Sequence, residues 1–135
     1  MRYKVVVWIE VVSNITNEIL LVGSIFKKPD LFIEHGHNIR SKYDFYDEAT
    51  KFFYDNAEIM YQTRTQVFNR SVISTYMAED QERLSLYKKY GGWKTLEDWM
   101  NLAVVDNFQG YFEVLKKFSL LREYQRNGFS VEKIL

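Results

Sequence analysis

The sequence predicts an all-α fold, with a compact multi-helix head followed by a long helix. Three observations support this prediction. Apolar residues recur at helical spacing in several segments from Ile15 onward. Residues suited to helix N-caps precede many of these segments, and glycines follow several of them. The 135 residues include only one Pro and six Gly, which marks too few turns for a many-stranded β fold.

Composition and charge exclude several classes of protein. Hydrophobic residues make up 47% of the chain and charged residues 27%, which is typical of a globular domain rather than a disordered one. The 18 basic residues equal the 18 acidic residues, so bulk charge provides no attraction to nucleic acid phosphates. Because the chain has no cysteine, a disulfide scaffold, a thiolate metal site and a cysteine nucleophile are excluded.

The N-terminal third combines an ambiguous segment with two predicted helices. Residues 3–12 are apolar and β-branched, which predicts a short strand or an extended arm; the segment is too short for a membrane span and lacks a clear secretory cleavage site. Gly23 lies at the edge of the following helical stripe and predicts the close approach of a neighbouring helix. A short helix is predicted from Pro29 to about His35, with Gly36 ending it. The stripe itself consists of Ile15, Ile19, Val22 and Phe26.

The next predicted helix begins near Asp44, which we expect to cap it. Asp47 and Glu48 would lie in its first turn, where carboxylates suit the positive end of the helix dipole. A polar loop is predicted at residues 62–68, and Asn69 is expected to cap a further short helix. The apolar face of the first of these helices comprises Ala49, Phe52, Phe53, Ala57, Met60 and Tyr61.

Two more helices are predicted on either side of a glycine pair. The first covers residues 80–90, Gly91-Gly92 interrupts it, and the second covers residues 93–103. Because the apolar stripes of the predicted helices match in width and spacing, we expect them to share one core. That core is predicted to contain Ile19, Val22, Phe26, Phe52, Phe53, Met60, Leu96 and Trp99.

The long helix is predicted to begin with a capping box, in which Asp106 pairs with Gln109. It runs to about Asn127 and stops at Gly128. Ser130 can cap one more helix, of which the sequence contains about one turn. We therefore expect the native chain to continue beyond the given sequence.

The sequence contains no readable catalytic or metal-binding motif. His35 and His37 are two residues apart, so they would face different sides of a helix, and no third ligand follows at a suitable spacing. The acidic residues between Asp44 and Asp55 are explained by helix capping and a solvated face. The pair at Gly91 lacks the spacing and the lysine of a phosphate-binding loop. We therefore expect no enzyme activity, no nucleotide hydrolysis and no metal requirement from this chain.

The basic residues of the long helix, Lys116, Lys117, Arg122 and Arg126, allow two interpretations. They could contact nucleic acid, or they could form a solvated face in which Glu113 pairs with Lys117. We favour the solvated face. The helix also carries more apolar residues than one buried stripe requires, so some should bury against the head or a second chain. These residues are Tyr111, Phe112, Leu115, Phe118, Leu121 and Tyr124.

Four motifs follow one another along nearly the whole chain, from about Asn17 to Leu135. They are Glu18-Ile-Leu-Leu-Val-Gly-Ser-Ile-Phe followed by Pro29; Tyr43-Asp44-Phe45 followed by Phe52-Phe53; Tyr90-Gly91-Gly92-Trp93 followed by Leu96; and Tyr111-Phe112-Glu113-Val114-Leu115-Lys116-Lys117 followed by Leu120-Leu121-Arg122. In this order and spacing they resemble the N-terminal domain of DnaB-type replicative DNA helicases, especially the phage and phage-like versions. The apolar first dozen residues depart from that family's more polar lead-in.

The resemblance implies a helical head followed by a helical hairpin. Residues 1–13 would be an extended arm or short strand, residues 14–105 the head, and residues 106–135 the first hairpin arm and the start of the second. Such domains pair through their hairpins into a non-catalytic collar of a hexameric helicase, and they dock primase or a helicase loader. ATP and Mg²⁺ would belong to a C-terminal RecA-like domain, so no cofactor is expected here.

The resemblance also implies a place and a surface for assembly. A dimer, or a hexamer in the full-length protein, would form in the cytoplasm of a bacterial or phage-infected cell, without direct contact to nucleic acid or membrane. Arg122 is included in the self-association surface because its stem can lie on apolar surface while its charge stays wet. The candidate contacts on the long helix are Leu115, Phe118, Leu121 and Arg122.

Two other classes of function stay open at this point. One is a stand-alone phage replication adaptor that binds the helicase or the primase. The length of the native reading frame would separate it from a helicase domain. The other is a small helical DNA-binding domain, which the zero net charge disfavours and which salt-dependent binding to random duplex DNA would support.

Overall fold

The computed structural model describes residues 13–128, and in this part of the chain helices are joined by turns and loops without any strand, as the sequence predicts. The predicted arm at residues 3–12 and the predicted helix after Ser130 lie outside the described residues. Two short 3₁₀ turns, Gly36–Asn38 and Val105–Asn107, lie in the connections between α-helices. The α-helices are α1 Ile15–Lys27, α2 Leu31–His35, α3 Ser41–Asp44, α4 Glu48–Thr63, α5 Arg70–Ala78, α6 Gln81–Lys89, α7 Gly92–Leu102 and α8 Phe108–Arg126.

Helix α1 lies at the centre of the fold and packs against α4, α7 and α8. It begins at an N-cap, Asn14, whose side-chain oxygen accepts a hydrogen bond from the amide of Asn17. Gly23 faces the carbonyl of Trp99 on α7 so closely that a Cβ atom there would lie 2.3 Å from the carbonyl oxygen. The predicted close approach of a neighbouring helix at Gly23 is therefore confirmed.

The core is aromatic, and Phe53 of α4 lies within it. The ring of Phe53 makes edge contacts with Trp99, at 5.2 Å between centroids, and with Phe26, at 6.4 Å. All eight residues of the predicted core belong to it: Ile19 and Phe52 are partly buried against the cluster, and the other six are buried. One apolar cluster therefore joins α1, α4 and α7, which confirms the prediction of a shared core.

Two predicted helix caps are wrong. Asp44 does not cap α4, because it ends the short helix α3 and its carboxylate is buried elsewhere; the cap is Asp47, whose side chain accepts from the amide of Thr50 at 3.0 Å. The capping box of Asp106 and Gln109 is also absent. Asp106 lies in a 3₁₀ turn before α8, and the side-chain amide of Gln109 donates instead to a carboxylate one turn further on.

The remaining caps and breaks follow the sequence closely. Asn69 and Asp80 cap α5 and α6 through their side chains, each accepting from a backbone amide at 2.9 Å. Gly91 and Gly92 have φ values of 101° and 60°, a backbone conformation that glycine adopts without steric cost. This break separates α6 from α7 where the sequence predicts it.

Helix α8 has 19 residues, so by rise per residue it is about 28 Å long. It packs along α1 and α3, with Phe108, Leu115 and Leu121 buried. The side-chain amide of Asn17 on α1 donates to the carbonyl of Tyr111, which fixes the two helices against each other at 2.9 Å. The predicted long helix is therefore present, and much of its apolar surface is covered by the head.

Candidate functional site

The four candidate self-association residues occupy different environments on α8. Leu121 is 1% exposed, and Leu115 and Arg122 are also buried within the body of this chain. Phe118 is partly buried. Three of the four side chains therefore contact the chain's own interior. The prediction that α8 self-associates stays a prediction, and the most exposed apolar side chains of α8 lie on another face of the helix.

That outer face of α8 carries Glu113, Lys117, Leu120 and Tyr124, which we call the outer stripe. These positions follow the spacing i, i+4, i+7 and i+11, so they lie above one another along the helix. Leu120 is 50% exposed and Tyr124 is 37% exposed. An apolar residue and an aromatic residue with flanking charges suit contact with another protein surface.

Below the opposite face of α8, the carboxylate of Glu18 is buried between α1 and the N-terminus of α4. It accepts hydrogen bonds from the hydroxyl of Thr50 at 2.7 Å and from the backbone amides of Asp47 and Tyr46 at 3.0 and 3.1 Å. Burial raises the pKa of Glu18, although these hydrogen bonds and the charge of Arg122 act in the opposite direction. Glu18 thus supplies acceptors to amides at the start of α4 that have no partner within the helix.

A second buried carboxylate, that of Asp44, connects α3 to α8. Its Oδ2 atom accepts from the backbone amide of Arg40 at 2.7 Å and from the ammonium of Lys116 at 2.9 Å. The same ammonium donates to the carbonyl of Asn38 at 3.0 Å. Since Asp44 is 1% exposed, Lys116 is the cation that compensates an otherwise buried charge.

The guanidinium of Arg122 completes this arrangement. Its Nη2 atom donates to the backbone carbonyls of Asp44 at 2.9 Å and Tyr43 at 3.2 Å, and the group lies 5.8 Å from the ring centre of Tyr46. Burial lowers the pKa of Arg122, and the negative charge of Glu18 opposes that effect. We call Glu18, Asp44, Lys116 and Arg122 the buried polar network.

The buried polar network joins three of the four motifs. Glu18 lies in the first motif, Asp44 in the second, and Lys116 and Arg122 in the fourth. Sequence reasoning assigned Lys116 to a solvated face and Arg122 to a partner surface, and it missed their shared contact with the α3 segment. The signal that could have revealed the network is that each of its members lies within one of the four motifs.

The histidines and carboxylates of the described residues form no metal-binding cluster. Between residues 13 and 128, no three His, Cys, Asp or Glu side chains come close enough to hold an ion. The imidazole of His35 packs on the rings of Phe108 and Phe112, at 4.8 and 5.1 Å between centroids, and His37 is exposed. Of the helices in this range, none is long and apolar enough to cross a membrane.

Comparison with known proteins finds a distant relative. The chain is 29% identical over 116 residues to YorI, an uncharacterized protein derived from the SPbeta prophage of Bacillus subtilis strain 168. The match covers 86% of this chain and 23% of YorI, so the chain spans about a quarter of the length of that relative. No family model matches the chain. No solved structure matches it. The chain is thus similar to a prophage protein whose name states no activity.

Proposed function

We propose that this chain is the non-catalytic N-terminal collar domain of a phage-type replicative DNA helicase. There it self-associates and docks primase or a helicase loader. The observation that carries the proposal is the buried polar network, since residues within the helicase-like motifs are those that fasten the long helix to the head. A head that holds a long helix in a fixed orientation suits a domain that assembles through that helix.

The relation to a prophage protein is compatible with this role. A match over 23% of YorI is what one domain of a longer protein would give, and it leaves room for further domains in that relative. Nucleotide hydrolysis would then belong to another part of the parent protein. The cytoplasm of the infected or lysogenic bacterium would be the place of assembly.

The outer stripe of α8 is the surface we assign to self-association. Leu120 presents exposed apolar area there, and Phe118 lies partly exposed beside it. A closed dimer in which both copies use the same face is the simplest assembly of such a surface. Leu115, Leu121 and Arg122 then act indirectly, because they hold α8 on the head.

Sedimentation velocity over a wide concentration range tests this assignment. We expect the wild-type chain to show concentration-dependent dimer, and Leu120→Asp to shift it to monomer while circular dichroism stays helical. Leu102→Asp is the matched control, because Leu102 is also exposed but lies at the end of α7. A wild-type chain that is monomeric at the highest concentration, or equal effects of the two variants, would contradict self-association through α8.

A second test addresses the parent protein. The reading frame that encodes this chain should continue into a domain with the G-x-x-x-x-G-K-[ST] loop that binds nucleotide phosphates. Purified parent protein should then hydrolyse ATP, and the same chain without that domain should not. A frame that encodes no such loop would contradict the helicase parent, whatever the outcome for self-association.

A further inference from the structure

A shallow groove runs between residues 40–44, which include α3, and residues 116–126 of α8, which we call the outer half of α8. Its floor is polar: Ser119 donates through its hydroxyl to the carbonyl of Tyr43 at 3.2 Å, and Lys116 contacts Asp44. Its two apolar edges are Tyr43, 46% exposed, and Leu120, 50% exposed. We call this the α3–α8 groove. The residues that line it are Arg40, Tyr43, Asp44, Lys116, Ser119, Leu120, Glu123 and Arg126.

The groove carries an excess of positive charge. Arg40 and Arg126 line the groove, and Arg40 lies 5.2 Å from the ring centre of Tyr43. Lys42 does not line the groove and lies 5.7 Å from the same ring centre. Within residues 13–128, none of these three cations forms an ion pair with a carboxylate. Because Lys116 and Asp44 neutralise each other, Glu123 is the remaining carboxylate that lines the groove.

We propose that the α3–α8 groove binds an acidic segment of a partner protein that carries an apolar anchor residue. The anchor would lie between Tyr43 and Leu120, where the exposed apolar area is, so peptide binding would compete with self-association for Leu120. Carboxylates on either side of it would pair with Arg40 and Arg126, whose planar guanidinium groups bind carboxylates in two-point geometry. The proposal does not depend on the helicase parent, because it rests only on the shape and charge of this groove.

Single-stranded nucleic acid is the other ligand that aromatic and basic residues attract, and the groove fits it less well. Stacking of bases needs an open aromatic face. The side chains of Arg40 and Lys42 already lie over the ring of Tyr43. Glu123 lines the groove and would repel a continuous phosphate backbone, whereas a peptide can place its carboxylates beside Arg40 and Arg126 and away from Glu123.

Fluorescence anisotropy with defined peptides tests the proposal on the full 135-residue chain. The probe is a labelled twelve-residue peptide in which Glu and Asp alternate with Leu and Phe. The comparison peptides replace the acids by Gln and Asn, or by Lys. We expect the wild-type chain to bind the acidic peptide best, with an affinity that falls as salt is added. We expect Arg40→Glu with Arg126→Glu to weaken that binding by about tenfold or more.

The matched control reverses two exposed cations elsewhere, Arg70→Glu and Lys88→Glu, which changes the net charge of the chain by the same amount. This control should keep most of the affinity. A charge exchange gives independent support, because the groove variant should prefer the Lys peptide over the acidic one. Circular dichroism verifies that the variants are folded. A further measurement needs no variant: when the acidic peptide is added to the wild-type chain, changes in the NMR chemical shifts of backbone amides should be confined to α3 and the outer half of α8.

Several results would overturn the proposal. One is equal binding of the acidic and the Gln/Asn peptides, which would leave apolar contact alone as the cause. Another is an equal loss in the groove variant and in the control, which would indicate net charge rather than a site. Failure of the wild-type chain to bind the acidic peptide at its highest soluble concentration also counts against it. Tighter binding of a fifteen-nucleotide oligothymidine, weakened by the same groove variant, would replace it with a nucleic acid site.

Discussion

At the scale of single residues, Glu18 shows how a buried carboxylate can join two helices. The residue is 2% exposed, and its carboxylate accepts hydrogen bonds from the hydroxyl of Thr50 and from two backbone amides at the start of α4. Burial of a carboxylate disfavours its charged form, and hydrogen bonds to it favour that form. Burial is the larger of the two effects here, so the pKa of Glu18 is raised above its ordinary value of 4.5.

This raised pKa predicts a pH-dependent stability. A carboxyl group whose pKa is higher in the folded than in the unfolded chain stabilises the fold below the unfolded pKa, and this contribution is lost as pH rises through the folded pKa. We therefore expect the wild-type chain to lose free energy of unfolding, relative to Glu18→Gln, as pH rises above about 4.5. Urea unfolding between pH 4 and pH 8 measures the difference.

Glu113→Gln serves as the control, because Glu113 is exposed on α8. The free energy of unfolding of this control should change with pH in the same way as that of the wild type. If the free energy of unfolding of Glu18→Gln also follows that of the wild type over the whole pH range, the burial of Glu18 does not control its ionisation.

The sequence alone could not have predicted this environment, since Glu18 looks like an ordinary first-turn acid that suits the helix dipole.

At the scale of elements, two glycines in helices have opposite surroundings. At Gly23 of α1, a Cβ atom would lie 2.3 Å from the carbonyl oxygen of Trp99 on α7. Because that oxygen belongs to a helix backbone, it cannot rotate away as a side chain could. At Gly110 of α8, a Cβ atom would meet nothing within 4 Å. The first glycine permits two helices to meet, and the second only weakens its helix.

We therefore predict opposite effects for the same substitution. Gly23→Ala should destabilise the fold by about 1–3 kcal/mol or more, because α1 and α7 must move apart. Gly110→Ala should stabilise it by about 0.5–1 kcal/mol, because alanine loses less backbone entropy in a helix. Thermal or urea unfolding of both variants gives the comparison. Equal changes of the same sign would show that the close approach of α1 and α7 does not limit the residue at position 23.

The elements that sequence reasoning located well are those with local signals. Asn69 and Asp80 cap α5 and α6 through residues three positions away, and the break at Gly91 is visible in two adjacent letters. Asp44 was assigned wrongly for the opposite reason. Its partner Lys116 is 72 residues away, and no local pattern distinguishes a capping aspartate from one that pairs across the fold.

At the scale of the whole molecule, contacts over long sequence separations attach α8 to the head. Lys116 reaches Asp44 and Asn38, and Arg122 reaches the carbonyls of Tyr43 and Asp44. The sequence predicted the length and the end of this helix, because both depend on local period and on Gly128. The face that it buries could not be predicted, since its apolar residues cover more than one side.

Lys116→Met tests the importance of this attachment. The variant keeps the length of the side chain but leaves the carboxylate of Asp44 buried without its cation, so we expect a loss of about 1–3 kcal/mol in the free energy of unfolding. Lys117→Met is the control on the adjacent, exposed position, and it should change the stability by less than about 0.5 kcal/mol. Urea unfolding followed by circular dichroism measures both. Similar values for the two variants would contradict a stabilising role for the Lys116–Asp44 pair.

The pairing of Lys116 with Asp44 also determines which alignment of α8 along the head is possible. A helix repeats every 3.6 residues, so a slip of one turn would place either Leu120 or Phe112 opposite Asp44. Both alternatives bring an apolar side chain to a buried carboxylate, which is costly. We expect the apolar contacts to tolerate such sliding far better than this ion pair does. The register of the long helix would then be specified by one lysine and one aspartate, while its adhesion comes from the apolar residues around them.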